Sequence, residues 1–425
     1  MHDIRLLRDH LELLRDGMRR RGKLTELAPL LDRAEVLERE RRQAITELEE
    51  QQAQRNQVTQ EVARRRKGGE DATAQIDESR RIGEAVAALD QRRLAAEAAV
   101  QQLLYELPNI TLPEVPEGSE AANVVVRSWG TPRTDGASLK AHWEIGEKLG
   151  VLDLPRGAKI SGSGFIVYRG AGARLVRSLM NFMLDIHTRE HGYEECWVPL
   201  VVNRASMTAT AQLPKFEDDM YALRDQDLFL IPTAEVPVTN LYRDEILDAS
   251  DLPKSFCAFS ACFRQEAGAA GKDTRGLLRV HEFDKVELVR YATPETSLQE
   301  LEVLTGHAEV ILQRLGLPYR VVLLAAGDTG FASAKTYDLE VFAPGVGKWL
   351  EVSSCSVFTD FQARRANIRY RQAPGEKPRF VHTLNGSALA FSRIIASLFE
   401  HWQQPDGSVR LPESLQPYIG CTDLR

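Results

Sequence analysis

The spacing of apolar side chains changes near residue 27 and again near residue 108. Between these points apolar residues recur at seven-residue steps, with a second series four residues later, which is typical of long helices that pair through one face. Gly68-Gly69 interrupts the pattern directly after a basic run at residues 64–67. We therefore predict two helices of roughly 35 to 40 residues joined by a turn, a hairpin about 50 to 60 Å long at about 1.5 Å per residue.

The predicted hairpin, residues 27–107, carries charges of both signs in similar numbers, and its positive charge is densest at the turn. Arginines at seam positions near the turn weaken hydrophobic pairing there, so contact with phosphates is one interpretation. A dimerisation coiled coil or a solvated helical face is the other, and helical spacing alone does not separate them. Several prolines end the second helix, and residues 108–118 are predicted to be a linker.

Residues 119–425 combine short β-rich runs with amphipathic helices, which are predicted over residues 172–191 and 296–315. Because the strands follow one another without regular helical crossovers, the pattern favours an α+β domain with a mainly antiparallel sheet over a doubly wound parallel one. The runs predicted to be strands are residues 124–126, 228–232, 286–291, 339–342 and 349–352.

Composition excludes several classes of protein. At 425 residues, 43% of them hydrophobic and with a net charge of −7, the chain can form two or more globular domains and has no general attraction for nucleic acid. Five scattered cysteines without a C-x-x-C pair argue against a disulfide framework or a thiolate zinc site. The charged amino terminus lacks a secretory signal, and no apolar run approaches the length of a membrane helix, so a cytoplasmic location is expected.

Familiar active-site motifs are missing from the sequence. Neither G-x-G-x-x-G after a strand nor G-x-x-x-x-G-K-[ST] occurs, so any bound ATP is held in another way. H-E-x-x-H and G-x-S-x-G are also absent, which removes the simplest hydrolase interpretations.

The segment from Phe263 to Glu287 contains the most informative chemistry: two strand-like ends are joined by a loop of glycines, alanines and charges. Arg264, Glu266, Arg279 and Glu287 can then project from neighbouring strands onto one sheet face. Arginine offers a planar fork for phosphate oxygens, while carboxylates suit an ammonium, a base or ribose edge, or a metal. A surface ladder of salt bridges is the alternative at this level.

The same segment resembles the second signature motif of class II aminoacyl-tRNA synthetases, in the form F-R-x-E-x-G-x-x-G-x-D-T-x-G-L-x-R-x-H-x-F seen in bacterial seryl-tRNA synthetases. The resemblance covers nearly the whole chain, including the helical arm. Its other matching stretches are Thr233-Ala234-Glu235, Glu351-Val352-Ser353-Ser354-Cys355-Ser356, residues 360–365, residues 382–387 running into Arg393, and residues 192–199, which look like the dimer-forming first motif.

The resemblance implies that serine is activated with ATP to seryl-adenylate, pyrophosphate is released, and serine is then transferred to the 3′ end of tRNA. Arg264 would bridge the serine carboxylate and the α-phosphate, Glu266 would accept hydrogen bonds from adenine, and Phe283 would stack on it. The implied catalytic residues are Arg264, Glu266, Arg279 and Arg393, and the implied ATP-binding set adds Gln265, Val280, Phe283, Glu351, Val352, Ser353 and Ser354. Arg279 and Arg393 would meet the β- and γ-phosphates.

Serine recognition is implied by the same resemblance. Thr233 and Glu235 look like contacts for the ammonium, and Glu287 looks like the reader of the hydroxyl. A site built around a hydroxyl leaves polar groups unpaired when alanine enters, which favours discrimination. The implied serine-binding residues are Thr233, Ala234, Glu235, Arg264, Glu287, Asn385 and Ser387.

Metal, RNA and subunit partners are also implied. Glu351 and Ser354 would hold Mg²⁺, which prefers hard oxygen ligands. The arm would bind tRNA(Ser), and tRNA(Sec) as well, outside the anticodon, and the protein would be a homodimer without membrane or DNA partners. The candidate tRNA-binding residues are Arg55, Arg64, Arg65, Arg66 and Lys67.

Three departures from the family pattern concern packing behind the ATP site: Val357, Ser392 and His401. None of them removes a charged contact.

Two rival functions keep most of the motifs. One is a serine-activating relative that loads a carrier protein, which would be expected to lack the arm. The other is a tRNA-binding regulatory relative, which would be expected to lose phosphate-binding groups that this chain retains. A plain coiled-coil scaffold leaves the motifs from Thr233 to Arg393 unexplained.

Overall fold

The computed structural model describes residues 1–134, 139–266 and 275–425. Backbone contacts divide the chain into two compact units, Met1–Pro108 and Asn109–Arg425. The predicted linker, residues 108–118, begins at this division. Its backbone is hydrogen-bonded within the second unit: Asn109 N–H donates to the Phe331 carbonyl at 2.8 Å, and Leu112 N–H donates to the Ala334 carbonyl at 2.9 Å.

The first unit is entirely helical in its regular structure. Its helices are α1 (Ile4–Asp9), α2 (Leu11–Arg20), α3 (Leu24–Lys67) and α4 (Thr73–Glu106). Ion pairs show that α3 and α4 run antiparallel, because Arg41 lies 3.6 Å from Glu97 while Arg92 lies 3.1 Å from Glu47, further along both helices toward the turn. The predicted helical hairpin is confirmed.

The apolar seam between α3 and α4 follows the predicted seven-residue spacing only in the part of the hairpin that is distant from the turn at Gly68-Gly69. Buried positions on α3 end at Leu48, whereas Gln51 and Val58 are partly exposed. On α4 the buried positions are Ile82, Ala96, Val100 and Leu104. The part of the hairpin next to the turn therefore has little apolar core. Most side chains in this part are polar and remain in water.

The second unit contains nine α-helices among its described residues: α5 (His142–Lys148), α6 (Leu154–Ser161), α7 (Ala171–Arg189), α8 (Arg204–Ala209), α9 (Glu235–Thr239), α10 (Ser297–Arg314), α11 (Phe361–Ala366), α12 (Phe391–Trp402) and α13 (Gln416–Ile419). Its described strands are β1 (Val124–Trp129), β2 (Glu194–Glu195), β3 (Val201–Asn203), β4 (Leu228–Leu230), β5 (Ile246–Asp248), β6 (Lys254–Phe263), β7 (Glu282–Ala292), β8 (Tyr319–Leu323), β9 (Lys335–Ala343), β10 (Lys348–Val357), β11 (Arg369–Arg371), β12 (Arg379–Phe380), β13 (His382–Ala390), β14 (Val409–Arg410) and β15 (Asp423–Leu424).

One eight-stranded sheet organises this unit, in the order β1-β8-β9-β10-β13-β7-β6-β2. All its neighbours are antiparallel except β2 and β6, which are parallel. The predicted α+β class with a mainly antiparallel sheet is confirmed. Each predicted strand run overlaps a strand, and the two predicted helices correspond to α7 and α10 with ends shifted by one or two residues.

Side chains along the central strands point alternately to the two faces of the sheet, which gives one apolar face and one polar face. On β7, Val286 and Leu288 are buried in the large core formed with α7, α10 and α12, while Lys285 and Glu287 point to the opposite face. On β13 a Cβ at Gly386 would lie 2.3 Å from Leu304 of α10, so glycine is required for the helix to pack this closely. One face is thus apolar, and the other is available for polar groups.

Within the described residues, no helix combines the length and apolar character needed to cross a membrane.

Candidate active site

A pocket of about 560 Å³ lies on the polar face of the large sheet. Its walls come from β7, β10 and β13, from the segment directly after β6, and from the start of α12. Most of the predicted site residues line it: Thr233, Glu235, Arg264, Glu266, Arg279, Val280, Phe283, Glu351, Val352, Ser354, Asn385, Ser387 and Arg393. Positions more than 150 residues apart in the chain, such as Thr233 and Asn385, therefore share one cavity.

Arg264 follows the end of β6 and lies in the wall of the pocket. Its backbone N–H donates to the His281 carbonyl at 2.9 Å, which links it to the residues preceding β7. Its side-chain Nε–H donates to the Pro232 carbonyl at 3.4 Å, and its guanidinium lies 5.2 Å from the centroid of the Phe283 ring. The cation is thereby oriented by an aromatic face, and the rest of its fork is directed to the cavity.

Two predicted ATP contacts bind each other. The Arg279 guanidinium donates to the Glu266 carboxylate at 2.5 Å, and Glu266 has a backbone φ of +52°. Residues 267–274, the loop of the motif between these two positions, lie outside the described residues. Any ligand that uses both side chains must exchange this ion pair for its own contacts.

Arg393 lies in the first turn of α12 and contributes a positive charge to one end of the pocket. Its Nη1–H donates to the Glu351 carbonyl at 2.7 Å and lies 3.3 Å from the Glu351 carboxylate, while Nε–H donates to the Leu278 carbonyl at 3.2 Å. Together with Arg279, it places two planar cations at one end of the cavity, where phosphate oxygens would be stabilised.

The opposite end of the pocket holds carboxylates and small polar groups. Glu287 is fully buried and accepts a hydrogen bond from Asn385 at 3.0 Å and another from the Thr233 hydroxyl at 3.2 Å. Lys285, which is 5% exposed, forms an ion pair with Glu287 and donates to the Thr233 hydroxyl at 3.0 Å. Glu235 accepts from the Asn385 amide at 3.0 Å. This end can bind an ammonium group and test a small hydroxyl.

Burial of Glu235 strongly disfavours its charged form. Burial first, and the nearby Glu287 carboxylate second, raise the pKa of this carboxyl to about 7, while the hydrogen bond from Gln362 and the charges of Lys285 and Arg264 oppose the increase. The group is therefore half protonated near neutral pH when no cation is bound.

Four predicted residues do not line the pocket. Gln265 instead supports it, because its amide donates to the Met220 carbonyl at 2.7 Å. Ser353 donates to the Ser387 carbonyl at 2.5 Å and joins β10 to β13. Ala234 is fully buried, and Glu287 lies behind the pocket surface. The structure thus gives these residues contacts with the pocket's walls.

Two residues with a clear place in the site were given no role by sequence reasoning. Lys285 lines the pocket, and its position two residues from both Phe283 and Glu287 could have predicted this, because side chains alternate along a strand. Gln362 contacts Glu235 from α11, and only the three-dimensional structure reveals that contact.

The candidate tRNA-binding residues lie in the part of α3 that is nearest to the turn of the hairpin. Arg55, Arg64, Arg66 and Lys67 are exposed, and Arg65 is partly exposed. Arg64 and Arg65 both contact Glu61, at 2.7 and 2.8 Å. The ion pairs are on the surface, so an anionic partner can compete with Glu61 at low energetic cost.

The fold and site define the class. A model of the class II tRNA synthetase core domain (G, H, P, S and T) matches residues 215–402, and a model of the seryl-tRNA synthetase N-terminal domain matches residues 1–111. The catalytic unit is therefore that of a class II aminoacyl-tRNA synthetase, and the chain belongs to the seryl-tRNA synthetase family.

Individual relatives agree over the full length. The chain is 80% identical to a serine–tRNA ligase of Gemmatimonas aurantiaca, with 99% of each chain covered, and 53% identical to one of Geobacillus kaustophilus, with 100% of each covered. Among solved structures, seryl-tRNA synthetase from Pyrococcus horikoshii complexed with ATP superposes with a TM-score of 0.95 at 39% identity, covering 100% of this chain and 99% of that one.

Proposed function

We propose that the protein is a serine–tRNA ligase, which activates L-serine with ATP and transfers it to the 3′ end of tRNA(Ser). One observation carries the proposal: a single pocket places Arg264 together with a basic end, Arg279 and Arg393, and an acidic end formed by Glu235 with the buried Glu287 behind it. The basic end suits phosphates, and the acidic end suits an amino acid's ammonium. The family membership and the full-length identity to serine–tRNA ligases support the same conclusion.

In the first step a serine carboxylate oxygen attacks the α-phosphorus of ATP, the bond from that phosphorus to the bridging oxygen breaks, and pyrophosphate leaves. No protein nucleophile is required, so catalysis rests on positioning and on neutralising charge. Arg264 holds the two reacting anions together. Arg279 and Arg393 bind the β- and γ-phosphates, and Glu266 and Phe283 hold the adenine, once Arg279 has released Glu266. In the second step a terminal ribose hydroxyl of tRNA attacks the acyl carbon, and AMP leaves.

Selection of serine follows from the buried polar network. Glu235 and Thr233 accept the ammonium, and the hydroxyl is read by the group formed from Glu287, Asn385 and Ser387. Alanine would leave these buried groups without a partner, which costs more than a lost contact in water.

Magnesium fits the donor set at the basic end of the pocket. Glu351 and Ser354 line the pocket with hard oxygen atoms, and Asp338, opposite Ser354 on β9, has a buried Oδ1 atom with no hydrogen-bond partner. The described residues contain no group of three or more His, Cys, Asp or Glu side chains that could hold a metal ion. Mg²⁺ commonly takes part of its coordination from substrate phosphates and water. When bound, Mg²⁺ supplies neutralisation of phosphate charge.

Transfer requires tRNA, and we assign its binding to the arm. The exposed cations at Arg55, Arg64, Arg66 and Lys67 suit backbone phosphates, which dominate recognition of RNA by shape. Both tRNA(Ser) and tRNA(Sec) are proposed acceptors.

We further propose a cytoplasmic homodimer. Trp197, 77% exposed, lies with the exposed Leu200 and Val201 at the end of the stretch resembling the first motif. Neighbouring exposed apolar side chains of this size are typical of an interface. A second copy would remove them from water.

The test is serine-dependent exchange of pyrophosphate into ATP, together with charging of bulk bacterial tRNA by each of the twenty amino acids. Serine should be charged and threonine and alanine should not. Arg264→Ala should reduce exchange by at least roughly 100-fold, while tRNA binding stays within twofold. Arg204→Ala, a surface arginine paired with Glu217, is the matched control and should behave as wild type. Exchange with serine but no charged tRNA would refute tRNA as the acceptor and favour a carrier protein.

A further inference from the structure

A chain of buried hydrogen bonds runs behind the acidic end of the pocket. The Thr383 hydroxyl donates to the Gln362 side-chain oxygen at 2.7 Å, and the Gln362 side-chain nitrogen donates to Glu235 Oε1 at 2.6 Å. Thr383 and Gln362 are both fully buried, and neither lines the pocket. Gln362 therefore does not touch a ligand in the pocket directly, and its short hydrogen bond to the pocket lining goes to Glu235.

The neighbours of Gln362 determine the orientation of its amide. Its nitrogen faces the Thr210 carbonyl at 3.5 Å, which can only accept, and the Glu235 carboxyl, which accepts in its ionised form, while its oxygen faces a hydroxyl. A flipped amide would place its oxygen against both acceptors and lose those hydrogen bonds. Gln362 is thus held as a donor to Glu235.

This arrangement also selects the state of the carboxyl group. Glu235 Oε1 receives the Gln362 amide, and Oε2 receives the Asn385 amide at 3.0 Å, so both oxygens face N–H donors. A protonated carboxyl would have to donate one hydrogen, and neither amide nitrogen can accept it. Donors to both oxygens therefore favour the carboxylate and oppose the effect of burial.

Charged groups around Glu235 come from two strands. Glu287 and Lys285 face it from β7, with opposite signs, and Arg264 faces it from beyond the end of β6. The two residues of β13 act from one face of that strand: Asn385 contacts Glu235 directly, and Thr383, two residues earlier, acts through Gln362. Among these groups, Gln362 is a neutral donor whose removal changes no formal charge.

We propose that Gln362, held by Thr383, is a positioning residue that keeps Glu235 as an oriented anion and thereby sets the affinity for the amino group of serine and its pH dependence. The proposal rests on the proposed function, since it names a determinant of serine binding at the same site. It makes Gln362 responsible for binding serine and not ATP, because, among the described residues, its side chain donates hydrogen bonds to the pocket lining at Glu235 and the Thr210 carbonyl alone.

The experiment measures KM for serine and for ATP in pyrophosphate exchange from pH 6 to 9, using the full chain. Gln362→Met keeps the length of the side chain but removes its hydrogen bonds to Glu235, Thr210 and Thr383. It should raise KM for serine roughly 10- to 100-fold, move the midpoint of the pH profile for serine to higher pH, and leave KM for ATP within twofold. Thr383→Val should change the same two quantities by less, and Thr383→Ser should behave as wild type.

Several results would overturn the role of Gln362. One is a Gln362→Met enzyme whose serine KM and pH midpoint stay close to wild type, and another is an equal loss for serine and ATP, which indicates a structural role. If Gln362→Met does not fold, Thr383→Val decides, and an unchanged serine profile in that variant overturns the proposal. A wild-type enzyme without serine-dependent exchange would overturn the proposed function as well, so the two failures are distinguishable.

Discussion

Serine binding should weaken as the pH falls from 8 to 6, and Glu235 is the reason. Burial holds the pKa of this carboxyl at about 7 in the ligand-free protein. Only its ionised form accepts the ammonium of serine, and serine itself remains a zwitterion in this range. The carboxyl is about 90% ionised at pH 8 and about 10% at pH 6, so the apparent affinity should fall roughly tenfold.

The sign of the effect is fixed by the direction of the pKa shift. Because the pKa of Glu235 is raised, the ligand-free site takes up a proton as the pH falls through 7, and serine must displace that proton to bind. At pH 7 binding should therefore release about half a proton. A carboxyl with an ordinary pKa would release almost none.

Isothermal titration of serine without ATP separates this effect from ionisation of the nucleotide. Titrations at pH 6, 7 and 8 in buffers of different ionisation enthalpy give both the affinity and the number of protons released. Glu235→Gln should bind serine weakly at every pH. Glu245→Gln, at an exposed carboxylate outside the pocket, should retain the wild-type profile. A serine Kd that varies less than twofold between pH 8 and 6 would refute the reasoning.

Three other outcomes are expected. Replacing residues 64–67 by alanine should lower kcat/KM for tRNA charging at least roughly tenfold and flatten its salt dependence, while pyrophosphate exchange is unchanged; equal charging would exclude this part of the arm from tRNA binding. Lys285→Met leaves the buried Glu287 without its counter-charge and should lower the free energy of unfolding in urea by about 3–5 kcal/mol. Lys254→Met, at a surface ion pair 3.7 Å apart, should lower it by about 0–1 kcal/mol. Equal losses in the two variants would contradict the buried-pair argument. Trp197→Asp should shift the protein from dimer to monomer in sedimentation velocity, and an unchanged dimer would place the interface elsewhere.

The sequence was most informative where the relevant signal is local. Seven-residue spacing predicted the hairpin, and short β-rich runs without regular helical crossovers predicted the antiparallel sheet, because both patterns are formed by residues that are neighbours along one element. Spacing along one helix does not show how far its partner helix covers it. The sequence therefore did not predict that burial on α3 ends at Leu48. Most of the site residues implied by the family resemblance then proved to line the pocket.

Contacts between distant parts of the chain depended on the tertiary structure. The resemblance implied that Glu287 reads the serine hydroxyl, and the structure adds that Glu287 is fully buried with Lys285 beside it. Glu266 and Arg279 were assigned to different parts of ATP, and they bind each other here.

The sequence by itself determined the arm, the class of sheet and the chemical types present at the site, because these depend on neighbours along one helix or strand. Only the tertiary structure decided that α11 brings Gln362 to Glu235, 127 residues away, and that Asn385 donates to both Glu235 and Glu287. The physical reason is that the energy of a buried charge depends on which donors and charges surround it after folding. Those neighbours come from separate elements, so the charge state of Glu235 is a property of the packed sheet and not of any segment of the chain.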